Sequence, residues 1–199
     1  LDASGGASYE FLIGGTATFD FSHSWLPDPS RYKPQVLHIG TLATVIEPGA
    51  SLLYDWAIQV AEFAPIVFDP NIRPSVISDR ARYQESVEKW AAISSVIKVS
   101  DDDMAWLYPD EKYEAIAQRW LSSGATLVVV TRGSQGLIGF TAGSSVEVQG
   151  VKIEVADTVG AGDTVGAIIV EAMVGKGMLN LTGDVLKSTL QRAALAASI

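Results

Sequence analysis

The residues best suited to chemistry lie in the C-terminal quarter of the chain, where three small residues precede an apolar run with helical spacing. Gly160, Ala161 and Gly162 are followed directly by Asp163 and Thr164. A turn that opens a helix leaves backbone N–H groups without intrahelical acceptors, and the helix dipole adds about half a positive charge there. Small residues let an anion approach that backbone. Donors for an anion beside the carboxylate of Asp163 indicate transfer of a phosphoryl group to a hydroxyl.

Two better-known glycine motifs do not fit this stretch. No Gly-Lys-Ser/Thr follows it, so it is not a Walker loop, and Gly166 comes one place too late for the dinucleotide fingerprint. An ordinary tight loop with a first-turn acid would give the same residues, because the dipole favours an acid at that position. The stretch alone leaves both interpretations open.

A second polar group follows the apolar run at residues 66–68. Asn71 can donate and accept hydrogen bonds, and Arg73 offers a planar fork for phosphate or carboxylate oxygens. In a parallel sheet, ligand contacts lie beyond the carboxyl ends of the strands, which is where this segment falls. A turn stabilised by Asp69 and Pro70, with Arg73 on the surface, is the alternative.

Three motifs, in this order along the chain, resemble those of the ribokinase-like (PfkB) sugar kinases, with bacterial fructokinases the closest group. Residues 69–73 resemble a fructokinase Asp-x-Asn-x-Arg pattern that borders the substrate and phosphoryl site. Residues 130–136 resemble the family's Val-Thr-x-Gly-x-x-Gly, although Arg132 replaces the commoner hydrophobic residue. The octet at residues 157–164 resembles the family's C-terminal signature. A glycine turn between strands would explain the second motif alone, but not all three in order.

The resemblance implies a role for each matching residue. Asp163 would be the catalytic base, and the backbone N–H groups of Gly160, Ala161 and Gly162 would form an anion hole. Asn71 and Arg73 would bind the substrate and phosphate. ATP would be bound by Thr131, Gly133 and Gly136.

A further family motif, altered in this sequence, concerns the binding of magnesium. Family members usually carry Asn-x-x-Glu, which acts on magnesium and phosphate through water; here Ser100 and Asp103 occupy those places. Both substitutions keep oxygen ligands, and Mg²⁺ prefers hard oxygens while retaining waters. The resemblance therefore implies an outer-sphere role for Asp103. Acids at a helix start are also favoured by the dipole, which leaves a purely structural role open.

The resemblance implies ATP-dependent phosphorylation of a sugar primary hydroxyl, with fructose as the expected acceptor and ATP and Mg²⁺ as cofactors. Ribose, 2-keto-3-deoxygluconate and nucleosides are alternative acceptors within the family. A non-catalytic sugar- or nucleotide-binding regulator on the same fold is an alternative of another class, prompted by the altered motif at Ser100 and Asp103. Asp163 argues against the regulator, because a pure binder needs no base.

Composition excludes several other kinds of protein. The chain has 199 residues, a net charge of −9, no cysteine and two histidines. Disulfides and thiolate metal sites are therefore excluded, a histidine-built metal site is not expected, and an acidic chain is a poor match for a nucleic-acid surface. No apolar run is long enough for a membrane span. These features fit a cytoplasmic enzyme, with neither nucleic acid nor membrane as a partner; the sugar and ATP as partners are what the resemblance implies.

The elements expected around these residues form an α/β fold with a mostly parallel sheet flanked by helices. Residues 1–21 predict a hairpin, with strands at 7–13 and 16–21. The family resemblance implies that this hairpin is the remnant of a small β lid and that a homodimer could form through it. Residues 22–199 would form an incomplete nucleotide- and phosphoryl-transfer domain. Its predicted strands lie at 36–42, 66–68, 96–99, 127–130, 137–140, 146–148 and 151–155, and its main helices at 50–64, 83–93, 112–123, after Thr164, and at 182–199.

The resemblance covers only the latter two-thirds of a typical family member. The missing part normally carries an Asp and a Gly-Gly pair that bind the sugar, and the pairs Gly5-Gly6 and Gly14-Gly15 lie in the lid-like stretch instead. We therefore expect the N-terminal part of the fold to belong to a longer protein.

Overall fold

A computed structural model describes residues 11–151 and 159–198, and within these residues six strands form a single sheet in the order of the chain. The first four strands are parallel, whereas β5 runs antiparallel to β4 and β6 antiparallel to β5. The predicted mostly parallel sheet is therefore confirmed. The strands are β1 (Leu37–Gly40), β2 (Ile66–Asp69), β3 (Val96–Ser100), β4 (Leu127–Thr131), β5 (Leu137–Thr141) and β6 (Ser144–Val148).

Helices connect the parallel strands and follow the sheet. Within the described residues they are α1 (Pro29–Tyr32), α2 (Gly49–Ala61), α3 (Arg80–Ala91), α4 (Asp101–Leu107), α5 (Tyr113–Ser122), α6 (Ala161–Lys176) and α7 (Gly183–Ala196). The main predicted helices are all present, with ends that differ by up to three residues. None of the described helices is both long enough and apolar enough to cross a membrane.

The sheet has a separate hydrophobic core on each face. One core packs the inward sides of α2 to α5 and holds large aromatic residues such as Trp90 and Trp120. The other core is formed with α6 and α7 and contains Ile169 and Leu190. Because side chains alternate along a strand, Phe68 enters the first core and its neighbour Val67 enters the second. This alternation fixes which strand residues face α6.

The predicted second strand of the N-terminal hairpin, at residues 16–21, is wrong. A short 3₁₀ helix covers Ala17–Phe19 instead. Phe21 packs against the aromatic core, and a Cβ on Gly49 at the start of α2 would lie 2.5 Å from its ring. This packing against a helix, in place of a neighbouring strand, explains why alternation in the sequence did not produce a strand. Residues 1–10 and most of the predicted strand at 151–155 lie outside the described residues.

Candidate active site

The start of α6 has the geometry expected of an anion-binding turn. Gly160 caps the helix in the left-handed region (φ 81°), which glycine adopts without strain. Its carbonyl accepts the N–H of Thr164 at 2.8 Å, so the backbone N–H groups of Ala161, Gly162 and Asp163 precede the intrahelical ladder. Asp163 lies in this first turn and is exposed to solvent. A substrate hydroxyl could therefore reach its carboxylate.

A buried ion pair at the ends of β2 and β3 faces the same helix. Lys98 Nζ donates to Asp69 Oδ2 at 2.7 Å, and each side chain is only 6% exposed. The register of β2 and β3 pairs Phe68 with Ile97, so Asp69 and Lys98 are the next cross-strand neighbours. Both lie on the face of α6, two residues beyond Val67 and Val96. The pair joins two adjacent strands at the carboxyl edge of the sheet.

The ion pair touches the glycine turn directly. A Cβ on Gly162 would lie 2.8 Å from Lys98 Nζ, a distance that real Cβ atoms do not tolerate. A side chain at this position would therefore displace the ammonium from its place against the helix backbone. Asp69 Oδ1 is buried and accepts no hydrogen bond from the described residues.

The loop after β2 holds the predicted substrate residues. Asn71 has a positive φ of 43°, a conformation that asparagine tolerates better than most residues. The backbone N–H of Arg73 donates to the Tyr83 hydroxyl at 3.1 Å, and its guanidinium lies 5.9 Å from the Phe11 ring centroid. Both Asn71 and Arg73 are half-buried, and the ion pairs found among the described residues do not include Arg73. The loop thus presents an amide and a guanidinium near the carboxyl edge.

Asp103 connects this loop to the next helix. Its backbone N–H donates to the Ser100 hydroxyl at 3.0 Å, which caps α4, and its Oδ1 accepts the N–H of Ile72 at 3.2 Å. Burial raises the pKa of Asp103 from 3.8 to about 6; the bond from Ser100 opposes that rise, and the negative charge of Asp69 adds to it. Asp103 therefore has a structural role in addition to any role toward a metal.

The carboxylates at this edge fit a magnesium ion that keeps its waters. Asp103 and the unpartnered Oδ1 of Asp69 are hard oxygens, which Mg²⁺ prefers. Within the described ranges, no group of three or more acidic, histidine or cysteine side chains could hold a metal ion. The donor set fits an ion bound mainly by substrate phosphates, with the protein acting through water.

The predicted ATP turn follows β4. Thr131 pairs with Ser100 in the sheet, which places the turn beside the start of α4. Gly133 has a φ of 50°, and no heavy atom lies within 4 Å of the position of an added Cβ. Gly136 differs, because its Cβ would lie 2.1 Å from the carbonyl oxygen of Val148. Gly133 therefore borders open space that a ligand could occupy, whereas packing against the end of β6 already accounts for Gly136.

Arg132, the residue that departs from the family pattern, points into the protein. Its side chain is 9% exposed, and its Nη2 donates to Glu147 Oε1 on β6 at 2.7 Å. Its backbone N–H also donates to the carbonyl of Gly136 at 2.8 Å. Arg132 thereby fixes the turn to the antiparallel strands.

The structure brings some of the predicted residues into one connected set. Asp103 is bonded to the loop of Asn71 and Arg73, and Lys98 links Asp69, the last residue of β2 before that loop, to Gly162. Thr131 belongs to the same set because it pairs in the sheet with Ser100, the last residue of β3. No contact links Asp163 to Arg73 among the described residues. Sequence reasoning missed Lys98 and treated Asp69 as a turn residue; the available signal was a lone lysine inside the apolar run at residues 96–99.

Comparisons with known proteins identify the family of the chain. The family model described as "pfkB family carbohydrate kinase" matches residues 3–199. The fructokinase of Rhizobium leguminosarum bv. trifolii is 35% identical over 169 residues, covering 85% of this chain and 52% of the relative. The fructokinase of Vibrio alginolyticus is 30% identical over 173 residues, covering 85% and 55%. The crystal structure of fructokinase from Vibrio cholerae O395, in fructose, ADP and calcium ion bound form, superposes with a TM-score of 0.78 at 26% identity and covers 96% of this chain and 60% of that one.

The sheet order and the helices on both faces define a ribokinase-like α/β protein. The chain belongs to the pfkB family of carbohydrate kinases. It spans about half the length of the curated relatives that it matches.

Proposed function

We propose that the protein containing this chain phosphorylates the primary hydroxyl of a sugar with ATP, and that fructose is the preferred acceptor. The observation that carries the proposal is the start of α6. There an exposed carboxylate, Asp163, stands in the first turn of a helix that opens on Gly160 and Gly162. A base and a set of backbone anion donors on one turn are what phosphoryl transfer to an alcohol requires.

In the proposed reaction, the sugar hydroxyl gives its proton to a carboxylate oxygen of Asp163. The sugar oxygen forms a bond to the γ-phosphorus while the bond to the β–γ bridging oxygen breaks, and ADP leaves. The backbone N–H groups of Ala161 and Gly162, with that of Gly160 at the cap, would hold the charge on the transferring group. Loss of one such donor typically costs about 3 kcal/mol of transition-state stabilisation.

The other candidate residues would position the two substrates. Arg73 supplies a guanidinium for phosphate or sugar oxygens, and Asn71 can both donate to and accept from hydroxyls. Gly133 leaves room for the nucleotide beside the backbone, and Thr131 stands at the strand end next to it. Mg²⁺, when bound, neutralises charge on the phosphates, and Asp103 would hold it through water.

Fructose is favoured over the other acceptors by the similarity to fructokinases and by the pattern at residues 69–73. The test is a coupled ADP-release assay on the full-length protein, comparing fructose with ribose, 2-keto-3-deoxygluconate and a nucleoside. We expect the highest kcat/KM for fructose. A higher value for another acceptor would overturn the substrate assignment but not the kinase assignment.

A non-catalytic regulator is the second candidate, and the engagement of Asp103 with Ile72 is the observation that favours it. A carboxylate already committed to the fold is less available to a metal. Binding of sugar or nucleotide without ADP release from any acceptor would establish the regulator and exclude the kinase.

The remaining parts of the proposal concern context. A cytoplasmic location would supply ATP, and a homodimer would form through a β lid that includes the N-terminal residues. Sedimentation of the full-length protein, with and without residues 1–21, tests the dimer: loss of the dimer on truncation supports it, and an unchanged mass contradicts it.

A further inference from the structure

Lys98 is a charged residue in an otherwise apolar strand. Its neighbours Val96, Ile97 and Val99 are fully buried, and Lys98 itself is 5% exposed. Burial of an ammonium is unfavourable unless other groups compensate for the lost water. A lysine at this position therefore needs an explanation beyond the packing of β3.

The partnership with Asp69 does not supply that explanation. A buried ion pair is often no more stabilising than well-packed apolar residues, because desolvation offsets the attraction. This pair is also incompletely bonded, since Asp69 Oδ1 is buried and has no hydrogen-bond partner among the described residues. Stability alone would favour two apolar side chains facing α6.

The surroundings of the ammonium make its placement more costly. Gly162 is the second residue of α6, and a Cβ added to it would lie 2.8 Å from Lys98 Nζ. The N-terminal end of a helix carries a partial positive charge, so a cation there is repelled and an anion is attracted. Two positive groups therefore converge on one turn beside the carboxylate of Asp69, and a bound anion would be attracted by both of them.

We propose that Lys98 is a positioning residue for phosphoryl transfer, and this inference rests on the proposed function. Its ammonium, fixed by Asp69, adds a positive group beside Gly162 in the first turn of α6. It raises the affinity of this turn for the transferring phosphoryl group, whose charge is largest in the transition state. Asp69 holds the ammonium in place against α6, and Gly162 provides the space for it.

The test compares Lys98→Met, Asp69→Asn and the double variant with the wild type in the full-length protein. Either single change leaves one buried charge without its counter-ion and should lower Tm. The double variant removes both charges at similar volume, so its Tm should return toward that of the wild type. We expect kcat of the double variant to stay on the order of 10- to 100-fold below wild type, with KM for the sugar nearly unchanged. Val96→Ala, which leaves a cavity on the same strand and face, controls for lost stability and should keep kcat.

Recovery of both Tm and kcat in the double variant would overturn the inference, because it would show that Lys98 only balances Asp69. A loss of kcat in Val96→Ala as large as in the double variant would do the same.

A second measurement does not depend on turnover. Inorganic phosphate should raise Tm of the wild type and raise it clearly less in the double variant; equal shifts would overturn the inference. If the wild type phosphorylates no sugar, the proposed function fails, and the phosphate measurement still decides the role of Lys98.

Discussion

The backbone N–H of Ile72 donates to Asp103 Oδ1 at 3.2 Å, across 31 positions of sequence. This bond holds the loop after β2 against the first turn of α4. Asn71 and Arg73 flank Ile72, so the placement of both candidate substrate residues depends on the carboxyl group of Asp103. Asp103, the residue proposed to act on magnesium through water, therefore also positions the loop of the candidate substrate residues.

The contribution of Asp103 to the stability of the protein should fall as pH rises from about 4 to about 6. Burial raises its pKa from 3.8 to about 6, so the folded state keeps a proton that the unfolded state releases in this range. Its stabilising contribution is complete below pH 4 and is lost as pH rises through about 6. At about 1.4 kcal/mol per pH unit, the change amounts to roughly 3 kcal/mol. Urea denaturation in EDTA at several pH values measures it.

Asp103→Asn should flatten that pH dependence, because the amide stays neutral at every pH. Asp69 and Lys98, which also face this carboxyl, are unchanged in the variant. Asp102→Asn is the matched control, since Asp102 is exposed on the same turn and, among the described residues, no hydrogen bond or ion pair joins its side chain to the loop of Ile72. An equal slope in Asp103→Asn and wild type would contradict the assignment.

Asp163→Asn should reduce turnover by about 100- to 10,000-fold, because the amide cannot accept the proton of the sugar hydroxyl. The affinity for ATP should remain close to that of the wild type, measured by calorimetry without sugar. Asp184→Asn is the control: Asp184 is also an exposed first-turn acid, but of α7. Turnover of Asp163→Asn within tenfold of the control would exclude Asp163 as the base.

Gly162→Ala should lower both stability and turnover. The new Cβ would lie 2.8 Å from Lys98 Nζ and would displace the ammonium from Asp69 and from the turn. We expect a loss of about 1–3 kcal/mol in the free energy of unfolding. Gly175→Ala, in the same helix, has no heavy atom within 4 Å of the new Cβ and should gain up to about 1 kcal/mol. Similar changes in both variants would show that the contact with Lys98 has no effect.

The two glycines of the ATP turn should respond differently to alanine. Gly136→Ala would bring a Cβ within 2.1 Å of the Val148 carbonyl oxygen and should destabilise the fold by several kcal/mol. Gly133→Ala meets no atom within 4 Å, so backbone strain of about 1 kcal/mol should be its main cost to stability. Its larger effect should be a raised KM for ATP, with KM for the sugar unchanged. A normal KM for ATP in Gly133→Ala would remove Gly133 from the nucleotide site.

The sequence was sufficient to predict the sheet, because its central strands are short apolar runs buried on both faces. Val128, Val129 and Val130 are fully buried. Short apolar runs of this kind between helical segments are typical of strands in a parallel sheet that is covered on both faces. The carboxyl-edge loops followed from the same topology. Residues 16–21 show the limit of prediction from sequence. Their alternation of apolar and polar residues predicts a strand, but it contains no information about the packing of Phe21 against Gly49.

Lys98 could not be assigned from sequence for a related reason. Its partner Asp69 is 29 positions away, and its contact with Gly162 depends on where α6 crosses the sheet. Local spacing predicts the strand that carries a lysine but not the groups that surround its ammonium.

The alternation of side chains across the sheet has a consequence for how relatives of this protein can vary in length. One extra residue inside β2 or β3 would rotate Asp69 or Lys98 to the opposite face, among the aromatic side chains of Trp90 and Phe68. The displaced charge would then be buried in the aromatic core without its ion-pair partner. The first turn of α6 would no longer have the Lys98–Asp69 pair beside it. Insertions and deletions should therefore be confined to the loops, while the spacing from Ile66 to Asp69 and from Val96 to Ser100 stays fixed.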